Sequence, residues 1–174
     1  LAVGVTPVAA QTPTLTLGLY GGSFEKAMRE TVVPAFQKEY KAEFKYVAGN
    51  STDTLARLQA QKAKQEMDVV FLDDGVLYQA IQLGFCAPLT DAPIYKDLHD
   101  IVKIPNNKGI GLGFVATGYT YNTKYFKEKG WAAPSSWNEL ADPKYKKLLA
   151  ISPITGTYGL HVLVMLARVN GGSE

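Results

Sequence analysis

The sequence predicts an α/β fold built on a mainly parallel sheet. Three observations predict it. An apolar strand, a polar loop and a helix follow one another three times between Leu15 and Gly84. One of those strands, Asp68–Leu72 (DVVFL), is a continuous apolar run of the kind buried inside parallel sheets. The loops after the strands are rich in Gly, Ser, Asn and Asp, which suits the carboxyl edge of an open sheet, where small polar ligands bind.

The first strand is Leu15–Leu19, where leucine alternates with threonine and glycine, and it runs into Tyr20-Gly21-Gly22-Ser23. A helix follows over Phe24–Tyr40. Pro34 cannot sit in a helix interior, so two segments are expected, with Pro34 in the first turn of the second. Ala27, Met28, Val32, Phe36 and Tyr40 recur at helical spacing and are expected to face the core. Phe44–Val47 is the second strand. It leads through Gly49-Asn50-Ser51-Thr52 to a helix over 53–65, capped by Ser51 or Thr52, with Leu55, Leu58 and Ala63 inward. Strand 68–72 stops at Asp73-Asp74-Gly75, and a short helix over 76–83 closes at Gly84. The three loops Gly21–Phe24, Asn50–Ser51 and Asp73–Gly75 therefore fall on one sheet edge.

The middle of the chain reads differently. Ile101–Tyr121 carries Gly109, Gly111, Gly113 and Gly118 among β-branched and aromatic residues, and predicts strand with close backbone approaches. A helix runs from Asn122 to about Lys129. Ser136 is an N-cap with Glu139 as capping-box partner, Asp142–Tyr145 is a turn, and Leu148–Ser152 is a strand. The loop Thr155–Gly159 precedes an almost wholly apolar helix over 160–169, too short to span a bilayer and expected in a core.

Composition narrows the function classes. The chain of 174 residues has room for one ordinary domain or parts of two. At 47% hydrophobic and 20% charged it is globular, and a net charge of +2 with interleaved lysines and glutamates gives no nucleic-acid footprint. Cys86 is the single cysteine, which excludes an internal disulfide and a cysteine-based zinc site and reads as a small buried hydrophobe. His99 and His161 match no metal spacing, and His161 reads as a satisfied interior residue. Tyr119 and Tyr121 are alternate residues rather than a tyrosine cluster for iron. Gly109-x-Gly111-x-Gly113 lacks the spacing and the strand-to-helix turn of a dinucleotide site, no phosphate-loop motif follows the first strand, and no nucleophile–base–acid set is present. No enzyme and no cofactor are expected. Val8-Ala9-Ala10-Gln11 has the small residues that signal peptidase reads, after the apolar Leu1–Pro7. Residues 1–11 are therefore read as the remnant of an export signal, and the protein as periplasmic in a Gram-negative cell without membrane insertion.

The motif order carries a resemblance. GGSF after strand one, the Gly-Asn-Ser loop before LARLQAQK, DVVFLDDG, the Gly84–Leu89 turn, GYTYNTKYF, PSSWNEL and DPKYKKLLAISP together resemble the bacterial extracellular solute-binding proteins of ABC importers, in the group that includes spermidine/putrescine and ferric-iron binders. Lys146-Lys147 stands where such proteins commonly have Lys-Gly. The resemblance implies a type II periplasmic-binding-protein fold: lobe one over 12–117, crossing strands and the first part of lobe two over 118–174, and a ligand in the interlobe cleft. It implies a membrane permease as partner. It also implies longer proteins, so the chain is read as an N-terminal fragment with weak ligand affinity of its own.

The candidate ligand contacts are Tyr20, Gly21, Gly22, Ser23, Phe24, Asn50, Ser51, Asp73 and Asp74 on lobe one, and Thr155, Thr157 and Tyr158 on lobe two. Backbone N–H groups of the Gly-Gly-Ser turn suit an anionic group, whereas Asp73 and Asp74 suit an ammonium. Aromatic rings at Tyr20 and Phe24 stack on cationic or aliphatic groups. A polyamine satisfies the acids and a zwitterion satisfies both, so an amine-containing solute is favoured. The competing reading is the effector domain of a regulator with the same fold, which predicts an upstream DNA-binding helix-turn-helix rather than an export signal.

Overall fold

The structure is a computed structural model that describes residues 12–172. The chain divides between Ala80 and Ile81 into two compact units.

The first unit is built on a three-stranded parallel sheet in the order β2-β1-β3. β1 (Thr14–Leu19) pairs along its whole length with β2 (Glu43–Ala48), from Thr14 opposite Glu43 to Leu19 opposite Ala48. β3 (Val69–Val70) pairs with Leu17 and Gly18. Asp68 and Phe71 extend that pairing through their N–H groups, which donate to the carbonyls of Thr16 and Gly18. Leu17 and Leu19 point to one face and are buried. On the other face Gly18 lets Met67 approach: a Cβ there would lie 2.8 Å from the Met67 sulfur. The predicted strand over 68–72 is shorter than expected, and Val69 is half-exposed, because among the described residues β3 has a ladder partner on one side only.

The helix after β1 begins as α1 (Ser23–Ala27), widens into a π segment (Met28–Val32) and resumes as α2 (Val33–Tyr40), with Pro34 in its first turn. The two-segment expectation holds, but of the predicted inner face Met28 alone packs on the core cluster. Val32, Phe36 and Tyr40 are exposed and Ala27 lies outward, whereas Val33 is buried. The π segment accounts for this: its wider turn adds a residue, so the face that starts at Phe24 and Met28 continues at Val33. Those three residues pack with Leu17, Leu19, Phe44, Tyr46 and Phe71 as the core.

α3 (Ser51–Ala60) starts two residues earlier than predicted. Its N-cap is Asn50, whose side chain accepts from the Asp53 N–H at 2.8 Å, not Ser51 or Thr52. Leu55 and Leu58 are buried as expected; the helix ends before Ala63, which is exposed. α4 (Asp74–Gln82) is followed by Gly84 at φ 80°, a left-handed position that favours glycine.

The second unit holds less regular structure. Its helices are α5 (Thr123–Glu128), capped by the Asn122 side chain, and α6 (Thr157–Val169), joined by irregular chain and 3₁₀ turns. The predicted strands over 101–121 and 148–152 are absent among the described residues. The first region contains 3₁₀ turns and one antiparallel bridge, Lys103 to Ile110. Strand formation needs a pairing partner, and beyond that bridge these segments have no ladder among the described residues; Leu112, Phe114 and Val115 are 70–75% exposed. The close approach expected of the glycines does occur at Gly111, where a Cβ would stand 3.0 Å from that of Val102. The Ser136 cap is present, but Glu139 reaches back to Ser135, not to Ser136, and the turn it caps is 3₁₀. α6 is not a core helix in this unit: Leu160, Leu163 and Val164 are about half-exposed. His161 is half-buried, with Nδ1 2.7 Å from the Thr117 hydroxyl, in keeping with a satisfied interior residue. Cys86 is half-buried, and burial pushes its thiol pKa up.

Candidate functional site

The carboxyl ends of β1, β2 and β3 feed three loops, and three of the predicted site residues meet there. Tyr20 directly follows β1, Ser51 opens α3 after β2, and Asp73 follows β3. Backbone pairing runs out just before them: Phe71 N–H donates to the Gly18 carbonyl and Gly49 N–H to the Leu19 carbonyl. Side chains take over from that point. The Tyr20 hydroxyl donates to Asp73 Oδ1 at 3.0 Å, and the Ser51 hydroxyl donates to Asp73 Oδ2 at 2.9 Å. The Asp73 N–H donates back to Ser51 Oγ at 2.9 Å, and the Tyr20 and Ser51 oxygens are 3.0 Å apart. Ser51 is 2% exposed, so its hydroxyl must find partners inside the protein, and it does.

An aromatic row braces this cluster. Tyr20 meets Phe24 edge-to-face at 5.5 Å, and Phe24 meets Phe71 at 5.2 Å. Phe71 was not among the predicted site residues. It is hidden in sequence because every residue of the apolar run at 69–72 reads equally as core.

The other predicted residues stand apart from the hydrogen-bonded cluster. Gly21, Gly22 and Ser23 form the exposed β1–α1 turn. Gly22 is at φ 67°, where a side chain is strained. Asn50 is exposed and caps α3. Asp74 is exposed at the start of α4, its Oδ1 accepting from the Gly75 N–H. In the second unit, Thr155 and Tyr158 are exposed and Thr157 is half-buried in the first turn of α6. Tyr119 donates to the Pro134 carbonyl and Tyr121 lies against Phe126, so each has a local packing role. Among the described residues no group of three or more His, Cys, Asp or Glu could hold a metal ion. No described helix is long and apolar enough to cross a membrane. The cleavage-site residues Val8–Gln11 lie outside the described residues.

A parallel sheet whose loops converge on one polar, aromatic-braced edge is the arrangement seen when this fold binds solutes. Comparison with known proteins agrees: the family described as bacterial extracellular solute-binding protein matches residues 31–171. The chain belongs to that family. It is 22% identical over 176 residues to iron uptake protein A2 of Synechocystis sp., covering all of this chain and 48% of that protein. Among solved structures it is similar to the periplasmic binding protein AfuA of Actinobacillus pleuropneumoniae, with fructose-6-phosphate bound (TM-score 0.66, 22% identity, 77% of this chain and 43% of AfuA). It is also similar to a periplasmic thiamin binding protein (TM-score 0.58, 22% identity, 97% of this chain and 52% of that one). The chain therefore spans about half the length of these relatives. It has the α/β fold of periplasmic binding proteins, and the family and neighbours are solute-binding proteins rather than enzymes.

Proposed function

We propose that the protein is the solute-binding component of an ABC importer, exported to the periplasm, where it captures a small polar solute for delivery to a membrane permease. The observation that carries the reading is the convergence of Tyr20, Ser51 and Asp73, one from each strand end, at the edge where this fold holds ligands. The exposed Gly21–Ser23 turn and Asp74 flank that edge, and Thr155–Tyr158 is proposed as the second unit's own solute-facing loop. The lobe assignment of 12–117 and 118–174 is retained with this proposal.

The relatives' names span iron, a sugar phosphate and thiamin, so solute class follows from this chain's own groups. An amine-containing solute, a polyamine or zwitterion, is favoured because an exposed carboxylate, Asp74, directly follows the Asp73 that binds Tyr20, and aromatic rings such as Tyr20 and Phe24 stack on cationic or aliphatic groups. The deciding experiment is native mass spectrometry and thermal shift on the protein purified natively from its source. The panel is putrescine, spermidine, amino acids, an aminophosphonate, thiamin, fructose 6-phosphate and ferric iron. A retained small molecule, or a shift with one panel member, is expected. The absence of both a bound molecule and any shift overturns the assignment, and a shift with iron or fructose 6-phosphate alone overturns the amine preference.

A further inference from the structure

The Tyr20–Ser51–Asp73 cluster admits a specific division of labour, which rests on the solute-binding reading above. It contains three protons, on the Tyr20 hydroxyl, the Ser51 hydroxyl and the Asp73 backbone nitrogen. Its acceptors include the two Asp73 carboxylate oxygens, Ser51 Oγ and the Tyr20 phenol oxygen. Contacts at 3.0, 2.9 and 2.9 Å carry one proton each to Asp73 Oδ1, Asp73 Oδ2 and Ser51 Oγ, and the Tyr20 and Ser51 oxygens make a further contact at 3.0 Å. Both carboxylate oxygens are thus engaged by neighbours that lie 53 and 22 residues away in the chain. With Ser51 on the far side of β1 from β3, the carboxylate spans the sheet's end at the point where the backbone ladder stops.

We propose that Asp73 is a positioning residue: its carboxylate fixes the Tyr20 phenol and the first turn of α3, and Tyr20, braced by Phe24, is the group that meets the solute. Ser51 acts with Asp73, because at 2% exposure it is buried behind that edge. Asp74, one residue on and exposed, is the carboxylate left for a cationic group on the solute. Of two adjacent acids, one builds the site and the other faces outward.

The test compares wild type, Asp73→Asn, Tyr20→Phe and the double variant in the full 174-residue chain, with tyrosine 13Cζ labels read by NMR. Asp73→Asn keeps the shape of the side chain but exchanges one acceptor for a donor. It is expected to move the Tyr20 13Cζ resonance and to speed amide exchange at residues 51–53 about tenfold, the factor for one lost hydrogen bond to a charged group. Affinity for whichever panel solute binds is expected to fall in both single variants and no further in the double, the signature of one coupled unit. An unmoved Tyr20 resonance in Asp73→Asn overturns the proposal. So do losses that multiply in the double variant, which make Asp73 an independent solute contact. If no panel solute binds, the solute-binding reading fails by itself, and the resonance and exchange measurements still decide whether Asp73 positions Tyr20.

Discussion

The two units draw on similar apolar residues but bury them very differently. In the first, Leu17, Leu19, Val33, Leu55, Leu58 and Val76 are all below a tenth exposed, and a full-length parallel ladder joins β1 to β2. In the second, the buried hydrophobic side chains among the described residues are Val102 and Tyr145, while Leu112, Phe114, Val115, Ile151 and Ile154 lie open. The second unit is held instead by aromatic contacts, such as Phe126, Trp131 and Tyr145 within 5.5–5.9 Å of one another, and by capped short turns. An apolar sequence is thus not a core until a ladder or a facing helix covers it. The largest expected effect follows directly. Leu19→Ala, at a wholly buried position, should cost about 2–5 kcal/mol in chemical denaturation, whereas Leu112→Ala, at 75% exposed, should stay within about 0.5 kcal/mol. Equal costs at the two sites would break the contrast between the units.

One position in the second unit is nevertheless tightly packed. Gly159, in the second half-turn of α6, is buried against the carbonyls of Ser152 and Pro153, and a Cβ there would collide with both. Backbone, unlike the end of a flexible side chain, cannot step aside cheaply. Gly159→Ala should therefore destabilise the seating of α6 on the 152–153 segment by about 1–3 kcal/mol, although alanine is the better helix former. Faster amide exchange through the first turns of α6 is the readout. A neutral or stabilising result would show that the segment before α6 yields, and that this unit is looser even at its closest contact.

The same contrast governs what the sequence could reveal. β1, β2 and α4 carry local signals, alternation and a closing glycine, and they fold where those signals lie. The strands expected over 101–121 and 148–152 depended on partners far away in sequence, and strand character there could not be judged from composition. The inner face of the first helix was misread for a different reason: the π segment adds a residue between Met28 and Val33, and no periodicity shows that in advance. At the site, the parallel-sheet rule put Tyr20, Ser51 and Asp73 on one edge. Their pairing, across 22 to 53 residues, and the bracing by Phe71 are tertiary facts with no sequence mark.

Helix caps sharpen the comparison at a smaller scale. In the first unit the Asn50 side chain accepts from the Asp53 N–H at 2.8 Å and from the Thr52 hydroxyl at 2.7 Å. In the second unit Ser136 accepts from the Glu139 N–H at 3.4 Å, over a 3₁₀ turn. Asn50→Ala should cost about 1 kcal/mol and Ser136→Ala distinctly less, measured by the shift of the denaturation midpoint. The reverse order would mean that the turns of the second unit are held more firmly than their geometry indicates.

The smallest expected effect is acid sensitivity confined to the second unit. The Ser135 hydroxyl, and then the Ser135 N–H, hold the Glu139 carboxyl below its ordinary value. The Lys144 N–H, and then its side chain, do the same for Asp142. The sign follows from the direction: a carboxyl depressed in the folded state contributes stability that is fully present above its unfolded value. That stability is lost as pH falls through the depressed one. The loss should therefore begin below the ordinary carboxylate range of about 4. Both groups are exposed, so added salt should blunt the part that comes from Lys144. The chain's two tryptophans, Trp131 and Trp137, both lie in the second unit, and Trp137 follows the Ser136 cap directly. Tryptophan emission thus reports on that unit alone. Emission that changes only below the carboxylate range is the expected outcome. A profile that stays flat below that range, or a change centred above it, would show that these carboxylates do not hold the turns of the second unit together.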